Sequence, residues 1–150
     1  MPRLLIVHHT PSPATQAVFD AIVDGATTDE IEGVDVVRVP ALIATPQDAM
    51  SADGYLIGGP ANIGMICGAL KVFFDLAYYP CLDHTRGRPY ATWAHGNDDT
   101  TGAIRNVETI TTGLEWRKVA EPLSITGAPS KTDLEAAWEL GATVAASLMD

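Results

Sequence analysis

The sequence lacks several features that would point to a particular class of protein. It has two cysteines in 150 residues, Cys67 and Cys81, and they form no Cys-x-x-Cys pair. A disulfide framework or a zinc site needs more thiols than this, so we predict two reduced, buried cysteines and no metal site. No apolar run approaches the ~20 residues of a membrane-spanning helix, which predicts no membrane span. With no targeting pattern either, we expect a cytoplasmic protein.

Basic residues are also scarce. The chain has 9 Lys and Arg against 19 Asp and Glu, a formal net charge of -10. Such a surface repels phosphate backbones and anionic membrane surfaces, so we expect no nucleic-acid partner. The same charge would complement a basic redox partner protein, which the composition leaves open.

What the sequence does contain is an alternation of short apolar runs with helical periodicity. Hydrophobic residues make up 47% of the chain, which is typical of a globular protein, and the length suits a single domain over residues 1–150. Helices are predicted over residues 13–25, 64–79 and 103–114, with a short turn after Pro46 and a last helix capped by Ser130 and Asp133. Strands are predicted at residues 4–7, 34–39, 54–57 and 89–94, and a weaker one within 118–126.

Five strands alternating with helices predict an α/β fold. The expected architecture is a doubly wound, five-stranded parallel sheet in the order 2-1-3-4-5, within three αβα layers. Gly58-Gly59-Pro60 is expected to end the third strand sharply. Ligands of such sheets bind at the carboxyl ends of the strands where the strand order reverses, so three loops are candidates for a site.

The first of these loops carries three hydroxyl groups, on Thr10, Ser12 and Thr15, and runs directly into a helix. A helix N-terminus favours an anion, and the absence of Lys and Arg from the loop fits a phosphomonoester held by neutral donors. An ordinary capped helix, with Ser12 as cap and Pro13 at the first position, explains the same residues. No Gly-x-Gly-x-x-Gly follows the first strand, which argues against a resident dinucleotide.

The second and third loops are small and polar. In residues 58–65 the small side chains would let the backbone approach a flat ligand, and Asn62 offers a polar group. Residues 95–102 contain Gly, Asn, Asp and Thr but little that could pack in a core. A tight turn and a solvated surface loop are the alternative interpretations.

These residues resemble the flavodoxin-like superfamily, and within it the branch of NAD(P)H-dependent FMN reductases and quinone reductases. In the phosphate loop, residues 10–15 keep the family's hydroxyl positions, with Pro13 in place of its Gly and Ala14 in place of its Asn-like residue. The closer match is Gly58–Gly64 followed by Gly68-Ala69-Leu70-Lys71-Val72-Phe73-Phe74-Asp75. Lys71 and Asp75 are expected to form a helical salt link rather than part of the site.

The resemblance implies a flavodoxin-like fold with bound FMN, and a site without catalytic side chains. His95 either donates to the pyrimidine end of the ring or bonds to backbone at a strand end. Trp93, Trp116 and Tyr79 are candidates for ring stacking, although aromatic residues at such places more often belong to the core. The implied cofactor-binding residues are Thr10, Ser12, Ala14, Thr15, Pro60, Ala61, Asn62, Ile63, Gly64, His95, Gly96, Asn97, Thr101 and Gly102.

The function implied by the resemblance is that of an electron-transfer flavoprotein, an oxidoreductase. NAD(P)H would act as a transient co-substrate, and a quinone or a flavin would be reduced by hydride transfer through the bound FMN. Two alternatives stay open: a non-enzymatic electron carrier of the flavodoxin type, and a flavodoxin-like fold that no longer binds flavin. Relatives of this kind also form homodimers or tetramers.

Overall fold

The computed structural model describes residues 1–149, which form a mostly parallel sheet between two layers of helices. The helices are α1 (Pro13–Ala26), α2 (Pro46–Ser51), α3 (Gly68–Cys81), α4 (Thr101–Leu114) and α5 (Lys131–Ala146). The strands are β1 (Arg3–His8), β2 (Asp35–Pro40), β3 (Gly54–Asn62), β4 (Met65–Ile66), β5 (Pro89–Gly96), β6 (Arg117–Lys118) and β7 (Leu123–Thr126).

The order of strands across the sheet is β2-β1-β3-β5, with β6 and β7 both paired to the outer edge of β5. These pairs are all parallel, and β4 alone runs antiparallel, against the end of β3. The predicted order is confirmed, because β6 and β7 together take the place of the fifth strand. The strand order reverses between β1 and β3, so the loops that follow them separate and leave an opening at the carboxyl edge.

The central strands are apolar along their length because helices cover both faces of the sheet. All eight residues of β5 are buried. One face packs against α1 and α5, with Phe19, Trp93 and Val144 in its core. The opposite face packs against α2, α3 and α4, with Phe73 and Trp116 in its core.

Two glycines allow α1 and α5 to lie very close together. A Cβ atom on Gly25 would stand 1.9 Å from the carbonyl oxygen of Trp138. A Cβ atom on Gly141 would stand 2.0 Å from the carbonyl oxygen of Ile22. The two backbones are therefore in direct contact, and neither position has room for a side chain.

Three helices, α1, α2 and α5, begin at a capping side chain, and the caps of α1 and α5 were predicted. Ser12 caps α1, and Ser130 with Asp133 forms a capping box at the start of α5. Thr45 and Asp48 form another at α2. In each box the cap side chain accepts an N–H from the first turn, and a side chain of that turn accepts the N–H of the cap, so two otherwise unpaired donors are satisfied.

The prediction that residues 58–60 end the third strand is wrong. β3 continues to Asn62, because these three residues stay in register with residues 93–95 of β5. Gly58 lies beside a large indole: a Cβ atom there would stand 2.0 Å from Nε1 of Trp93. The small residues that suggested a chain break are strand residues beside a bulky neighbour.

The helix predicted over residues 64–79 begins later and ends later, as α3. Ile63 and Gly64 have φ angles of 54° and 71°, outside the helical region, and form the tight turn between β3 and β4. Met65, predicted on the inward face of the helix, lies in β4 and is 53% exposed. The rest of the predicted inward face is confirmed as buried: Leu70, Phe73, Phe74 and Ala77.

The loop predicted over residues 95–102 is shorter in the structure. Its first two residues finish β5 and its last two begin α4, which leaves residues 97–100 as the loop. The predicted last strand is interrupted, because residues 119–122 separate β6 from β7. Pro122 lies in this gap and has no N–H to donate to a ladder.

Candidate functional site

The loops after β1, β3 and β5 enclose a crevice of about 480 Å³ at the carboxyl edge of the sheet. It lies where the strand order reverses, the usual place for a ligand in this architecture. None of the described residues that line it is Lys, Arg, Asp or Glu. The lining consists of Pro11, Ser12, Pro13, Ala14, Pro60, Ala61, Asn62, His95, Gly96 and Asn97.

The first wall is the turn into α1, and most of its hydrogen-bonding groups are bonded within the turn. Ser12 Oγ accepts the N–H of Thr15 at 3.2 Å, and Thr15 Oγ1 accepts the N–H of Ser12 at 3.1 Å. The Thr15 hydroxyl also donates to the Ser12 carbonyl oxygen at 3.1 Å. Thr15 is 1% exposed, so its side chain belongs to the helix cap and not to the crevice wall.

Thr10 also lies outside the wall. Its Oγ1 is 3.3 Å from Nδ1 of His8, the last residue of β1. Two neutral donors remain at this wall. The N–H of Ala14 has no acceptor within the described part of the chain. The second is the Ser12 hydroxyl, which lies 3.0 Å from Thr15 Oγ1 and must leave that contact to donate into the crevice.

The second wall is the end of β3, where residues 60–62 line the crevice. The next two residues turn away from it. Ile63 is 93% exposed, in the left-handed region that a β-branched side chain rarely adopts. Gly64 packs against the start of α4, where a Cβ atom on Gly102 would stand 2.0 Å from the Gly64 carbonyl oxygen. Gly102 therefore serves the close contact between hairpin and helix.

An apolar groove of about 620 Å³ adjoins the crevice on the outer side of this hairpin. Asn62 lines both, so the two surfaces are continuous. Ile63, Met65 and Ile66 form the hairpin side of the groove and Ile110 of α4 lies opposite. The N–H of Ile66 donates to Asn106 Oδ1 at 2.9 Å, which fixes the hairpin against α4.

The third wall is the end of β5, where His95, Gly96 and Asn97 line the crevice. Nε2 of His95 donates to the Gly127 carbonyl oxygen at 2.7 Å, and the residue is 8% exposed. His95 therefore bonds to backbone at a strand end and also lines the crevice. With Nε2 donating to this carbonyl, Nδ1 is the ring nitrogen left for another partner. Thr101 is exposed and lies outside the lining.

Beneath the crevice, His8, Gly58 and Trp93 form one row across β1, β3 and β5. His8 stacks on Phe19, with ring centroids 3.9 Å apart. Burial lowers the pKa of His8 to about 4, and the charge of Arg38 adds to the effect. The imidazole is therefore neutral at pH 7 and brings no positive charge to this end of the sheet. Nε1 of Trp93 is buried without an acceptor among residues 1–149.

The structure brings together most of the predicted site residues. Two residues of the wall were not among the predicted binding residues: Pro11, and Pro13, which was interpreted as a helix-start residue and as the replacement of the family's Gly. Of the aromatic candidates for ring stacking, Trp93 and Trp116 are buried in the core and Tyr79 is exposed at the far end of α3. The predicted residues that line the crevice are Ser12, Ala14, Pro60, Ala61, Asn62, His95, Gly96 and Asn97, and those outside its lining are Thr10, Thr15, Ile63, Gly64, Thr101 and Gly102.

The remaining predictions concern thiols, metals and membranes. Cys67 and Cys81 are free and buried, as expected, and burial raises the pKa of both thiols. Lys71 and Asp75 form the predicted i, i+4 salt link on the exposed side of α3. Within residues 1–149, no three His, Cys, Asp or Glu side chains are grouped so that they could hold a metal ion. The same residues contain no helix that is both long and apolar enough to cross a membrane.

Comparison with solved structures identifies the architecture. A flavodoxin from the domain Archaea superposes with a TM-score of 0.81 over 97% of both chains, at 16% sequence identity. The chain has the flavodoxin-like fold. A second flavodoxin-like structure, a WrbA-like flavodoxin from Agrobacterium tumefaciens, matches 98% of this chain and 97% of its own with a TM-score of 0.79, at 16% identity.

Sequence similarity to a known flavodoxin covers only part of this chain. A flavodoxin of Aquifex aeolicus (strain VF5) is 31% identical over 75 residues. The aligned part is 50% of this chain and 40% of that protein's length. No family model matches the chain.

Proposed function

We propose that the protein binds FMN in the crevice and uses it for electron transfer. The observation that carries this proposal is the convergence of three strand-end loops on one crevice with small, neutral walls. A flat heteroaromatic ring needs close backbone approach and a few amide or hydroxyl groups, and the residues present supply both. A nucleoside triphosphate would need a lysine and magnesium ligands, which the described lining does not contain.

The walls suggest which residues would hold each part of the cofactor. Ser12 and Ala14 lie at the start of α1, where the helix dipole favours the phosphate end. The end of β3, residues 60–62, and the pair Gly96 and Asn97 would flank the ring from two sides. FMN supplies one-electron and two-electron chemistry when it is bound, so the chain needs no acid–base side chain of its own.

Two uses of such a cofactor are supported by different observations. A net charge of -10 favours an electron carrier of the flavodoxin type, because carriers of this charge dock on basic partner proteins. The similarity to an Aquifex aeolicus flavodoxin supports the same role. The lining described here contains no Phe, Tyr or Trp, so no aromatic side chain would occupy a ring face that a visiting co-substrate could use. That feature supports an NAD(P)H-dependent reductase of quinones or flavins, and so does the WrbA-like neighbour.

The binding proposal is tested by visible absorption spectroscopy. The purified protein is mixed with excess FMN, dialysed, and scanned for the two visible bands of flavin. We expect retained absorption at about one flavin per chain, because the crevice at the strand ends would take one flavin. A protein that releases all the added FMN would contradict the proposal.

The two uses are separated by steady-state kinetics of the FMN-loaded protein. NADH or NADPH is supplied together with a soluble quinone, and oxidation of the nicotinamide is followed by its absorbance. Sustained oxidation, proportional to protein concentration, is expected of a reductase. Retained FMN without nicotinamide oxidation is expected of a carrier, which would instead accept electrons from a basic reductase protein.

A further inference from the structure

The phosphate end of the crevice offers few groups to an anion. Pro11 and Pro13 have no N–H. The N–H groups of Ser12 and Thr15 are bonded to each other's hydroxyl oxygens in the capping box. In the first turn of α1 the N–H of Ala14 is therefore the backbone donor left for a ligand.

The hydroxyl groups of this turn are similarly engaged. Thr15 Oγ1 donates to the carbonyl oxygen of Ser12, and Thr10 Oγ1 lies 3.3 Å from His8 Nδ1. The Ser12 hydroxyl lies 3.0 Å from Thr15 Oγ1, so its hydrogen reaches a ligand only by leaving that contact. Two neutral donors cannot replace the water that surrounds the three charged oxygens of a phosphomonoester, so moving the phosphate into the crevice costs about as much as its contacts return.

The charges near the crevice do not compensate for the missing donors. No Lys or Arg belongs to the described lining, and His8 is neutral at pH 7. On the opposite wall, Asn97 is followed by two exposed carboxylates, Asp98 and Asp99. Hydrogen bonds from Thr101 lower the pKa of Asp99, which keeps it ionised. The lining itself is therefore neutral, and the nearby cations Arg38 and Arg105 act on His8 and Asp99 from outside it.

We infer that the crevice recognises the ring and polyol of a flavin and gains little from its phosphate, so that it accepts non-phosphorylated riboflavin about as well as FMN. This inference rests on the proposed function, since it concerns the same crevice. It assigns the ligand class as flavins with or without a terminal phosphate. Ser12 and Thr15 act here as the residues that determine specificity, because their capping box withdraws the donors that a phosphate would use.

The test is a pair of binding titrations. Flavin-free protein is added to FMN or to riboflavin, at pH 7.5 and at two salt concentrations, and flavin fluorescence is followed. We expect dissociation constants within about tenfold of each other, and little change of their ratio with salt. FMN binding more than tenfold tighter than riboflavin would overturn the inference and leave the proposed function standing. If neither flavin binds, the proposed function fails, and the inference fails with it.

Two proline-to-glycine variants show whether the missing N–H donors explain the weak contribution of the phosphate. Pro13→Gly supplies an N–H at the first position of α1, beside the crevice. We expect FMN to bind several-fold more tightly to this variant while riboflavin binding stays the same. Pro46→Gly is the matched control, because Pro46 holds the same position in the capping box of α2 and does not line the crevice. A ratio that Pro13→Gly leaves unchanged, in a variant whose circular dichroism shows it folded, would contradict the explanation.

Discussion

At the scale of single residues, His8 makes stability depend on pH. The pKa of His8 is about 4 in the folded protein and 6.5 in an exposed histidine. Between these two pH values the unfolded chain is protonated at His8 and the folded chain is not. The neutral ring therefore contributes its full share to the free energy of unfolding above about pH 6.5, and this contribution is lost as the pH falls towards 4. The full shift corresponds to about 3 kcal/mol, and solvent around a half-buried ring reduces this to about 2 kcal/mol.

We expect His8→Leu to remove this dependence. The variant loses the contact with Thr10 and is less stable than the wild type at pH 7. Between pH 7 and pH 4.5 its free energy of unfolding should fall by about 2 kcal/mol less than that of the wild type, because leucine cannot bind the proton that the unfolded wild type takes up at His8. Urea unfolding at both pH values measures this difference. Equal losses in the two proteins would show that His8 is not the group responsible.

Crevice residues could be predicted from the sequence where they lie at or just after the end of a predicted strand. Ser12, Asn62 and His95 follow or end neighbouring parallel strands, and parallel strands bring such ends to one edge. The direction of individual side chains could not be predicted. The Thr15 hydroxyl turns into the helix cap because it donates to the Ser12 carbonyl oxygen, three residues away. A helix cap and an anion-binding loop both contain Ser and Thr, so the sequence does not distinguish the two roles.

At the scale of elements, the β3–β4 hairpin carries conformational strain at its turn. Both central residues, Ile63 and Gly64, have positive φ angles, which is the signature of a type I′ turn and favours Asn-Gly. A β-branched side chain in this region costs about 1–2 kcal/mol. Ile63 is 93% exposed and gains almost nothing from burial.

We expect Ile63→Asn to raise the free energy of unfolding by about 1 kcal/mol, because Asn tolerates the left-handed region. Gly64→Ala is the opposite control and should lower it, since φ at this position is 71° and nothing else crowds a Cβ atom there. Chemical denaturation of the three proteins gives both values. A fall in stability for Ile63→Asn would mean that the isoleucine makes a stabilising contact.

The contact between α1 and α5 includes direct backbone contacts at Gly25 and Gly141. We expect Gly141→Ala to cost about 1–3 kcal/mol, because the new methyl group would meet the Ile22 carbonyl and the helices would have to move apart. Gly113→Ala in α4 is the matched control: its Cβ atom would meet the hydroxyl end of Tyr78, which can swing away. That variant should stay within about 1 kcal/mol of the wild type, as helix propensity favours Ala. Thermal unfolding of both variants makes the comparison, and similar losses would argue against the backbone contact.

Element types were predictable from periodicity, and element ends were less so. The helix and strand patterns reflect which faces are buried, and these are encoded locally. The extension of β3 through residues 58–60 depends on its register with β5, more than 30 residues away in the chain. The start of α3 depends on β4, a strand of two residues that is held by Asn106 of a later helix. Such contacts between distant segments leave no local pattern.

At the scale of the whole molecule, the excess of acidic residues destabilises the folded state through self-repulsion. Four of the basic residues, Arg3, Lys71, Arg86 and Lys118, already form exposed ion pairs, and such pairs contribute little. The net charge of -10 therefore remains the larger electrostatic effect.

We expect the free energy of unfolding to rise by about 1 kcal/mol when sodium chloride is raised from about 10 mM to about 200 mM. Over that interval the Debye length falls from about 30 Å to less than 10 Å, so repulsion between distant carboxylates is screened. Denaturation with urea, which is uncharged, measures the change without altering the ionic strength. A decrease would show that the exposed ion pairs outweigh the repulsion.

The interruption between β6 and β7 has a consequence for behaviour at high concentration. A free strand edge is a template on which another chain can add, and this is a common start of aggregation. On the β5 side of the sheet, the outermost strands are two and four residues long, and the gap between them contains Pro122. An incoming chain would find no continuous row of donors and acceptors there, so this edge protects the protein against β-sheet assembly in concentrated solution.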